Sequence, residues 1–226
     1  MSAEQLKELA ARAAVASIDA GMRVGLGTGS TASHAVRALG ERVAAGLTIV
    51  GVPTSEATAA LARSLNVPLT ELDAVEALDV TIDGADEVDL DTFAVIKGFG
   101  GALLREKLVA LATIRQIIIV DESKVAADGL TKQVPVEVVP FGAAHTVRAL
   151  ERLGAKPTLR LRDGAPFVTD GGNWIFDCDF GPLADPAGLA AAIKAISGVV
   201  DHGLFIGIVE TVLVAGAGGV RTYRRE

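Results

Sequence analysis

The chain has 226 residues, of which half are hydrophobic and only 4% aromatic, and its formal net charge is −7. This acidic balance argues against nucleic-acid binding, which needs clustered Lys and Arg. The one basic cluster, Arg221–Arg225, ends the chain and is expected to be a solvated tail. The single cysteine, Cys178, excludes an intramolecular disulfide, and with three histidines no zinc-type spacing occurs.

The N-terminal segment, residues 1–21, places charges throughout an apolar pattern. It therefore predicts an amphipathic helix and not a signal peptide. The longest apolar runs, such as Ile117–Val120, are too short to cross a bilayer. We therefore expect a soluble, cytoplasmic protein with no membrane partner.

Strands and helices alternate in the first half of the chain. Hydrophobic periodicity predicts helices over 3–20, 32–45, 55–65 and 101–113, and strands over 22–26, 47–52, 78–83, 93–97 and 115–120. This alternation is typical of an α/β layer with a parallel sheet.

The pattern changes after about residue 131. Strands are predicted over 135–140, 158–162, 166–169 and 174–179, helices over 142–153 and 186–197, and a hairpin turn at Asp163-Gly164. A long apolar strand is predicted over 204–214. We therefore expect a Rossmann-like α/β domain with a mostly parallel sheet, formed by residues 1–128 and 204–226. A smaller α+β domain, residues 129–203, would be inserted in it.

The first candidate binding element is the segment Gly25–Ala32, between a predicted strand and a predicted helix. Its glycines permit a sharp turn, and Ser30 and Thr31 add hydroxyl donors at a helix N-terminus, where an anion is favoured. Taken alone, phosphate binding and an ordinary capped turn are equally supported. The segment is a poor dinucleotide fingerprint, because Ser30 replaces the third glycine and the next strand, Leu47–Gly51, carries no acid. No Gly-Lys-Ser/Thr follows, so it is not a Walker A loop.

Two carboxylates, Asp83 and Asp86, follow the predicted strand over 78–83. The carboxyl ends of parallel strands are where ligands bind in open α/β sheets. Two nearby carboxylates can hold different protonation states and move protons between neighbouring oxygens. The alternative is a solvated acidic turn, which we expect for the other acids of this stretch, namely Glu87, Asp89 and Asp91.

The stretch Lys97–Lys107 joins a lysine to a carboxylate through a glycine-rich turn. Its backbone N–H groups could face a developing oxyanion, with Lys97 as a fixed positive charge. Glu106, expected in about the second turn of the next helix, would be a carboxylate base. Taken alone, Lys97 and Glu106 each suit a solvated surface position. Only the glycine-rich turn between them favours a catalytic site. Lys124, after the strand over 115–120, would reach the same sheet edge as Gly27, Asp83 and Lys97 and could contact a phosphate.

These stretches, in this order, resemble the ribose-5-phosphate isomerase A family over nearly the whole chain. The matching segments are Gly27–Ala32, Asp83–Glu87, Lys97–Lys107, Asp121–Lys124, Pro135–Phe141, Asp170–Asn173 and Gly198–Phe205. The resemblance implies interconversion of D-ribose 5-phosphate and D-ribulose 5-phosphate through an enediolate, in the non-oxidative pentose phosphate pathway. It also implies a homodimer or homotetramer, and neither a metal nor another cofactor.

The resemblance further assigns roles to individual residues. Glu106 would carry the proton between C1 and C2, and Asp83 and Asp86 would serve ring opening and the hydroxyl protons. Lys97 and the adjacent backbone would stabilise the enediolate. The remaining residues expected to bind the substrate are Lys7, Thr28, Gly29, Ser30, Thr31, Gly98, Gly100, Gly101 and Lys124.

The chain departs from the family pattern at Phe99, where a glycine is usual. A side chain there could alter the backbone of the glycine-rich turn or cover the pocket. Gly171 replaces a more usual asparagine, and Leu104 a more usual polar residue.

Three other functions are disfavoured. The chain lacks the different set of site residues that an amino-sugar isomerase or deaminase would need. It also lacks the DNA-binding segment expected of a regulator's sugar-phosphate sensor, and the dinucleotide fingerprint expected of an NAD-binding oxidoreductase.

Overall fold

The computed structural model describes residues 1–225, which divide into two compact units. The first unit comprises Met1–Ala85, Arg105–Val125 and the chain from Ile208 onward. The second comprises Asp86–Leu104 and Ala126–Gly207. The expected inserted domain, residues 129–203, falls within the second unit, and Asp86–Leu104 is an addition that the sequence did not predict. The division into a catalytic and a smaller domain stays a prediction.

The helices and strands of the described residues are named in chain order. The α-helices are α1 Ala3–Val15, α2 Ser30–Ala44, α3 Glu56–Ser64, α4 Leu103–Leu111, α5 Ala143–Arg152 and α6 Pro186–Lys194. The strands are β1 Arg23–Leu26, β2 Val50–Pro53, β3 Val80–Gly84, β4 Glu87–Val88, β5 Val95–Ile96, β6 Gln116–Asp121, β7 Val134–Val138, β8 Lys156–Leu159, β9 Leu161–Arg162, β10 Ala165–Pro166, β11 Trp174–Asp179, β12 Val199–His202, β13 Leu204–Phe205, β14 Thr211–Gly216 and β15 Gly219–Arg224.

The first unit is built on a six-stranded sheet in the order β15-β14-β6-β3-β1-β2. All neighbouring strands run parallel except β15, which is antiparallel to β14. The expected α/β fold with a mostly parallel sheet is confirmed. Because β1 lies between β2 and β3, the chain reverses its direction of growth across the sheet at β1. A crevice at the carboxyl end of such a switch point is the general ligand site of open α/β sheets.

The sheet of the first unit is buried by helices. Every residue of β6 is buried, and its run Ile117–Val120 is typical of a strand covered on both faces. Helices α1 and α2 supply small apolar side chains to the core, among them Ala10, Ala14 and Val36. The core therefore fixes the carboxyl ends of β1, β3 and β6 on one edge, where the polar loops follow.

The second unit is an α+β layer. Strands β12, β7, β11 and β8 form an antiparallel sheet in that order, and α5 and α6 complete a core that includes Val136, Leu150 and Ile193. The short strands β13, β5 and β4 form a further antiparallel sheet. The predicted turn at Asp163-Gly164 joins β9 to β10, and both turn residues have positive φ, 53° and 80°. Such φ values at both positions are typical of a type I′ hairpin.

Two sequence predictions at the end of the chain are wrong. Residues 204–214 do not form one strand, because β13 belongs to the second unit and β14 to the first. Arg221–Arg225 is not a solvated tail, since most of it lies in β15, paired with β14. Val220 of β15 packs against the core, while Arg221 and Arg224 are exposed. Charged side chains on an edge strand are a usual protection against unwanted strand pairing.

In the part of the chain that the structure describes, no helix has the length and apolar character needed to cross a membrane.

Gln116, the first residue of β6, is expected to lower the stability of the fold. Its side chain is buried, yet among residues 1–225 neither the amide nitrogen nor the amide oxygen has a hydrogen-bond partner. Leaving buried polar groups unsatisfied costs about 1–3 kcal/mol. Gln116→Met should therefore raise the free energy of unfolding by about 1–3 kcal/mol in urea denaturation. Gln133→Met, at an exposed position, is the control and should change it little; equal effects would contradict the prediction.

Asp79 should make the stability depend on pH. Its carboxylate accepts the backbone N–H of Arg23 at 2.7 Å and the guanidinium at 3.3 Å, and these bonds, led by the backbone bond, lower the pKa of Asp79. A lowered folded-state pKa adds stability above the unfolded value, and this is lost as pH falls through the folded value. Asp79→Asn should lower the free energy of unfolding at pH 7 by about 1 kcal/mol, after allowance for partial exposure.

The difference between Asp79→Asn and the original chain should shrink as the pH falls below about 4. Urea denaturation across this range measures it. Asp73→Asn removes the same charge from an exposed position and serves as the control. A difference that stays constant with pH would mean that the carboxylate charge is not what stabilises β1 against β3.

Candidate functional site

The loop after β1 and the start of α2 form the first part of the candidate site. Helix α2 begins at Ser30, two residues earlier than expected, and Gly29 precedes it with φ 105°. Gly29 and Ser30 are exposed, whereas Thr28 and Thr31 are half-buried. The N–H groups of the first helical turn have no partner within the helix and favour an anion. This geometry suits the phosphate-binding role predicted for Gly29, Ser30 and Thr31.

Asp83 joins this loop to the carboxyl end of β3. Its side chain is 1% exposed, and Oδ1 accepts the N–H groups of Thr28 at 3.2 Å and Gly84 at 2.7 Å. A side chain at Gly27 is excluded, because a Cβ there would lie 2.2 Å from Asp83 Oδ1. The structure therefore brings together two predicted site residues, Thr28 and Asp83, at the switch point between β1 and β3.

A cluster of hydroxyl groups, which the sequence analysis missed, supports the loop. Thr28 Oγ1 donates to Ser55 Oγ at 2.8 Å, Ser55 Oγ to Thr58 Oγ1 at 3.1 Å, and Thr58 Oγ1 to the Gly27 carbonyl at 3.0 Å. Thr54 Oγ1 lies 2.7 Å from Thr28 Oγ1. Thr54, Ser55 and Thr58 are buried. The sequence did contain a signal for this cluster, because Thr54-Ser55 follows the parallel strand β2 at the same sheet edge as the β1 loop. Ser55 also caps α3.

Lys124 lies on a short 3-10 turn, Glu122–Lys124, directly after β6. Asp121 caps this turn, because its Oδ1 accepts the N–H of Ser123 at 2.9 Å. Lys124 is half-buried, and no described residue forms an ion pair with it. Since β6 and β1 belong to the same parallel sheet, Lys124 follows the same sheet edge as Gly27, as expected.

Lys7, on α1, is held by an acid. Its Nζ lies 2.6 Å from Glu4 Oε1, and the other oxygen of Glu4 lies 2.9 Å from His34 Nε2. The hydrogen bond from Lys7, followed by that from His34, lowers the pKa of Glu4. The structure therefore shows an ion pair at Lys7, and phosphate binding by this residue stays a prediction.

Glu106 is buried, with 3% of its surface exposed, so the surface alternative for this residue is wrong. It lies in the first turn of α4, one turn earlier than expected. The N-terminal turn of a helix stabilises a negative charge. The position therefore suits a carboxylate base.

In the second unit, Asp86 and the glycine-rich turn are joined directly. Asp86 Oδ2 accepts the backbone N–H of Phe99 at 3.0 Å. The turn is closed by a hydrogen bond from Gly101 N to the Gly98 carbonyl at 3.0 Å. Gly98 and Gly101 have φ of 108° and 85°, which L side chains rarely adopt. The predicted site residues Asp86, Gly98 and Gly101 are thus brought together.

Phe99 does not strain this turn. Its φ is outside the left-handed region, so position 99 accepts an ordinary residue. The Phe99 side chain is 44% exposed. The concern that a residue other than glycine distorts the backbone here is therefore resolved.

Lys97 is buried, with 2% of its surface exposed, and its Nζ lies 5.6 Å from the centre of the Phe205 ring. The solvated alternative for Lys97 is wrong. The expectation that it ends a strand of the main sheet is also wrong, because it follows β5, a two-residue strand in the antiparallel sheet of the second unit. The short β4 and β5 carry too little sequence for their pairing to be predicted.

Glu87 was expected to be solvated, and this is wrong. It is 5% exposed and accepts the N–H groups of Thr131 and Lys132 at 2.7 and 2.8 Å. Lys132 Nζ in turn donates to the Asp86 carbonyl at 2.6 Å. Glu87 therefore orders the loop beside Asp86. Asp89 does form a local turn, by accepting the N–H of Asp91.

A metal site and a cysteine nucleophile are two further candidate features. Within residues 1–225, no cluster of three or more His, Cys, Asp or Glu side chains has the arrangement of a metal site. Cys178 is fully buried, and burial, with a smaller effect of Asp177, raises the pKa of its thiol to about 12. Since the thiolate is the nucleophile, Cys178 is not a nucleophile candidate.

The six-stranded sheet with its switch point defines an α/β protein with an open, mostly parallel sheet. A model of the family described as ribose 5-phosphate isomerase A (phosphoriboisomerase A) matches residues 50–219. The chain belongs to this family, whose members are isomerases.

Curated relatives match over essentially their whole length. The chain is 55% identical to ribose-5-phosphate isomerase A of Gloeobacter violaceus, covering 97% of this chain and 96% of the relative. It is 53% identical to the protein of that name from Rhodopseudomonas palustris, with all of both chains covered.

Solved structures of ribose 5-phosphate isomerases are similar to this chain over essentially its whole length. Ribose 5-phosphate isomerase A from Methanocaldococcus jannaschii is 40% identical, with a TM-score of 0.94 over 99% of this chain and 100% of that one. A D-ribose-5-phosphate isomerase in complex with phospho-erythronic acid is 38% identical, with a TM-score of 0.96 over all of both chains. The resemblance and the Rossmann-like fold expected from the sequence are confirmed.

Gly27→Ala should disturb the loop and Asp83 together. The new Cβ would lie 2.6 Å from the Asp83 Cα, so the backbone must shift. Overpacking of this kind costs about 1–3 kcal/mol. We expect that loss in urea denaturation, together with weaker binding of inorganic phosphate in calorimetry. Gly218→Ala is the control, since its Cβ would meet nothing within 4 Å and its φ is not left-handed; unchanged stability in Gly27→Ala would contradict the close approach.

Proposed function

We propose that this protein interconverts D-ribose 5-phosphate and D-ribulose 5-phosphate through an enediolate, in the non-oxidative pentose phosphate pathway. The observation that carries the proposal is the full-length similarity to isomerases of this name, one of them bound to phospho-erythronic acid. This ligand is a phosphorylated sugar acid whose planar carboxylate resembles a planar enediolate. Analogues of a reaction intermediate bind where the reaction occurs.

In the proposed reaction, Glu106 is the base. It removes the proton from C2 of the open-chain aldose, the electron pair forms the C1–C2 double bond, and the carbonyl electrons move to O1. The same carboxyl group returns the proton to C1, while the O2 proton is transferred to O1, so that O1 becomes a hydroxyl and O2 the carbonyl oxygen of the ketose. The burial of Glu106 supports this role, because one group can move a proton between neighbouring carbons only where water is excluded.

The other catalytic roles are divided among three residues. Lys97 stabilises the negative charge of the enediolate, aided by the backbone N–H groups of the Gly98–Gly101 turn. Asp83 and Asp86 serve ring opening and the transfer of protons between hydroxyl oxygens. The hydrogen bonds that hold Asp83 to the β1 loop and Asp86 to Phe99 support these roles, because a proton-transfer group must be fixed in position.

The phosphate is proposed to bind at the start of α2. Gly29, Ser30 and Thr31 present backbone and hydroxyl donors, and the helix dipole favours the anion. Lys124 and Lys7 add positive charge as flexible point charges. Thr28 lines the site through its backbone, since its hydroxyl already lies among those of Thr54, Ser55 and Thr58.

A cytoplasmic homodimer or homotetramer is the proposed working form, with the sugar phosphate as its only small-molecule partner. The supporting observations are the family membership and the acidic composition. Sedimentation velocity on the purified chain distinguishes the dimer from the tetramer.

The reaction is tested by adding ribose 5-phosphate to the purified protein in EDTA and following ribulose 5-phosphate. We expect turnover in EDTA, and a loss of about 10²–10⁴-fold in kcat for Glu106→Gln, which is typical of removing a general base. Glu151→Gln, on the exposed face of α5, is the matched control and should keep full activity.

Each other outcome has a distinct meaning. Near-normal turnover in folded Glu106→Gln would show that another group moves the proton. Binding of ribose 5-phosphate without turnover in the original chain would indicate a sensor. Neither binding nor turnover would mean that this chain acts on a different substrate from its relatives.

A further inference from the structure

The glycine-rich turn Gly98–Gly101 is contacted on its carbonyl side by an arginine. Arg160 Nη1 donates to the carbonyl of Gly98 at 2.8 Å and to that of Phe99 at 3.2 Å. Arg160 lies between β8 and β9, where its backbone is bonded on both sides, to Ile175 and Phe167. Nothing in the sequence pattern marked this residue as part of the site.

The guanidinium of Arg160 is itself held in place. Its Nε donates to Asp177 Oδ2 at 3.0 Å, and its Nη2 donates to Asp177 Oδ1. This two-point pairing leaves Nη1 directed at the turn, as a planar guanidinium permits. The two side chains are only 15% and 20% exposed, so the pair is far less screened than an ion pair on the surface.

Phe167 completes the support of the turn. Its ring lies under Gly101, where a Cβ would come within 2.4 Å of the ring, and both Arg160 and Arg162 lie over the ring, at 6.0 and 4.4 Å. Arg162 makes no hydrogen bond to the turn, among the contacts of the described residues. Arg162 therefore shares the place over the Phe167 ring but lacks the hydrogen bonds of Arg160 to the turn carbonyls.

The direction of these carbonyls fixes the direction of two N–H groups. In a trans peptide, the N–H points opposite to the preceding C=O. Since the Gly98 carbonyl points to Arg160, the N–H of Phe99 points away from it, and it donates to Asp86 Oδ2. Since the Phe99 carbonyl also points to Arg160, the N–H of Gly100 points away as well. Within residues 1–225, the Gly100 N–H has no hydrogen-bond acceptor.

We propose that Arg160, held by Asp177, is a positioning residue that aims the Gly100 N–H at the enediolate oxygen and fixes Asp86 through Phe99. The inference rests on the proposed isomerase function and deepens it. A positive charge on the carbonyl side polarises both peptide groups, so their N–H groups become stronger donors. A preset donor stabilises developing charge without reorganisation during the reaction.

The test compares Arg160→Gln, Arg160→Lys and Asp177→Asn with the control Arg162→Gln in the full-length chain. Three quantities are measured: kcat and KM for ribose 5-phosphate, and the inhibition constant of phospho-erythronic acid. Arg160→Gln should lower kcat about 10- to 100-fold, the size expected when a catalytic donor is misplaced. KM should change little, because the bound sugar phosphate has not yet developed the charge. Asp177→Asn should also lower kcat with little change in KM, but by a smaller factor.

The inhibition constant separates positioning from a loss of folded protein. A smaller folded fraction lowers the apparent kcat but leaves the inhibition constant unchanged. If Arg160 positions the oxyanion donor, the inhibition constant should rise by a factor similar to the fall in kcat, since the analogue resembles the intermediate. Guanidinium ion should restore part of the activity of Arg160→Gln and leave the activity of Arg162→Gln unchanged.

Arg160→Lys keeps the positive charge, and it replaces Arg160→Gln in the test if Arg160→Gln does not fold. Folded Arg160 variants with the original kcat and inhibition constant would overturn the inference, as would a fall in kcat without a rise in the inhibition constant. In both cases the original chain still turns over, so the proposed function stands. If the original chain itself shows no turnover, the proposed function fails and the inference falls with it.

Discussion

The contact on which the candidate site of the first unit depends is the approach of the β1 loop to the carboxylate of Asp83. A carboxyl group that is 1% exposed needs hydrogen-bond donors, because an unsatisfied buried polar group costs several kcal/mol. The N–H groups of Thr28 and Gly84 supply two of them. The N–H of Thr28 reaches Asp83 only because Gly27 has no side chain. The loop between β1 and α2 is thus fixed by the carboxylate of Asp83.

Two acids with little exposed surface fix neighbouring groups in the second unit as well. Glu87 binds the N–H groups of Thr131 and Lys132, and Asp177 fixes the guanidinium of Arg160. In each case the acid lies on a strand, and the groups that donate to it lie outside the strands. Part of the acidic excess of the chain therefore has a structural use. Net charge alone shows nothing of this, because the same composition is compatible with wholly solvated carboxylates.

The sequence predicted those features that depend on local pattern. The strand over 174–179 was predicted at its observed bounds. The turn at Asp163-Gly164 was predicted because Asp-Gly is a hairpin signal, and both residues have the positive φ of such a turn. The order of the motifs identified the family. Burial of charge was not predictable, because the burial of Lys97, Glu106 and Glu87 depends on segments distant in the chain. The two-residue strand β4 was likewise not predicted, because it forms through pairing with β5, and the pairing of β5 with β13 depends on a segment distant in the chain.

The glycine-rich turn shows how the backbone decides which residues a site tolerates. Gly98 and Gly101 have left-handed φ, and Gly101 also lies against the Phe167 ring, so a side chain at Gly101 is excluded on two grounds. Position 99 has an ordinary φ and an exposed side chain, and only its N–H and carbonyl take part in the turn. A phenylalanine there leaves both backbone groups in place. The departure from the family pattern therefore changes the exposed surface of the turn, while the N–H and carbonyl of Phe99 keep their hydrogen bonds to Asp86 and Arg160.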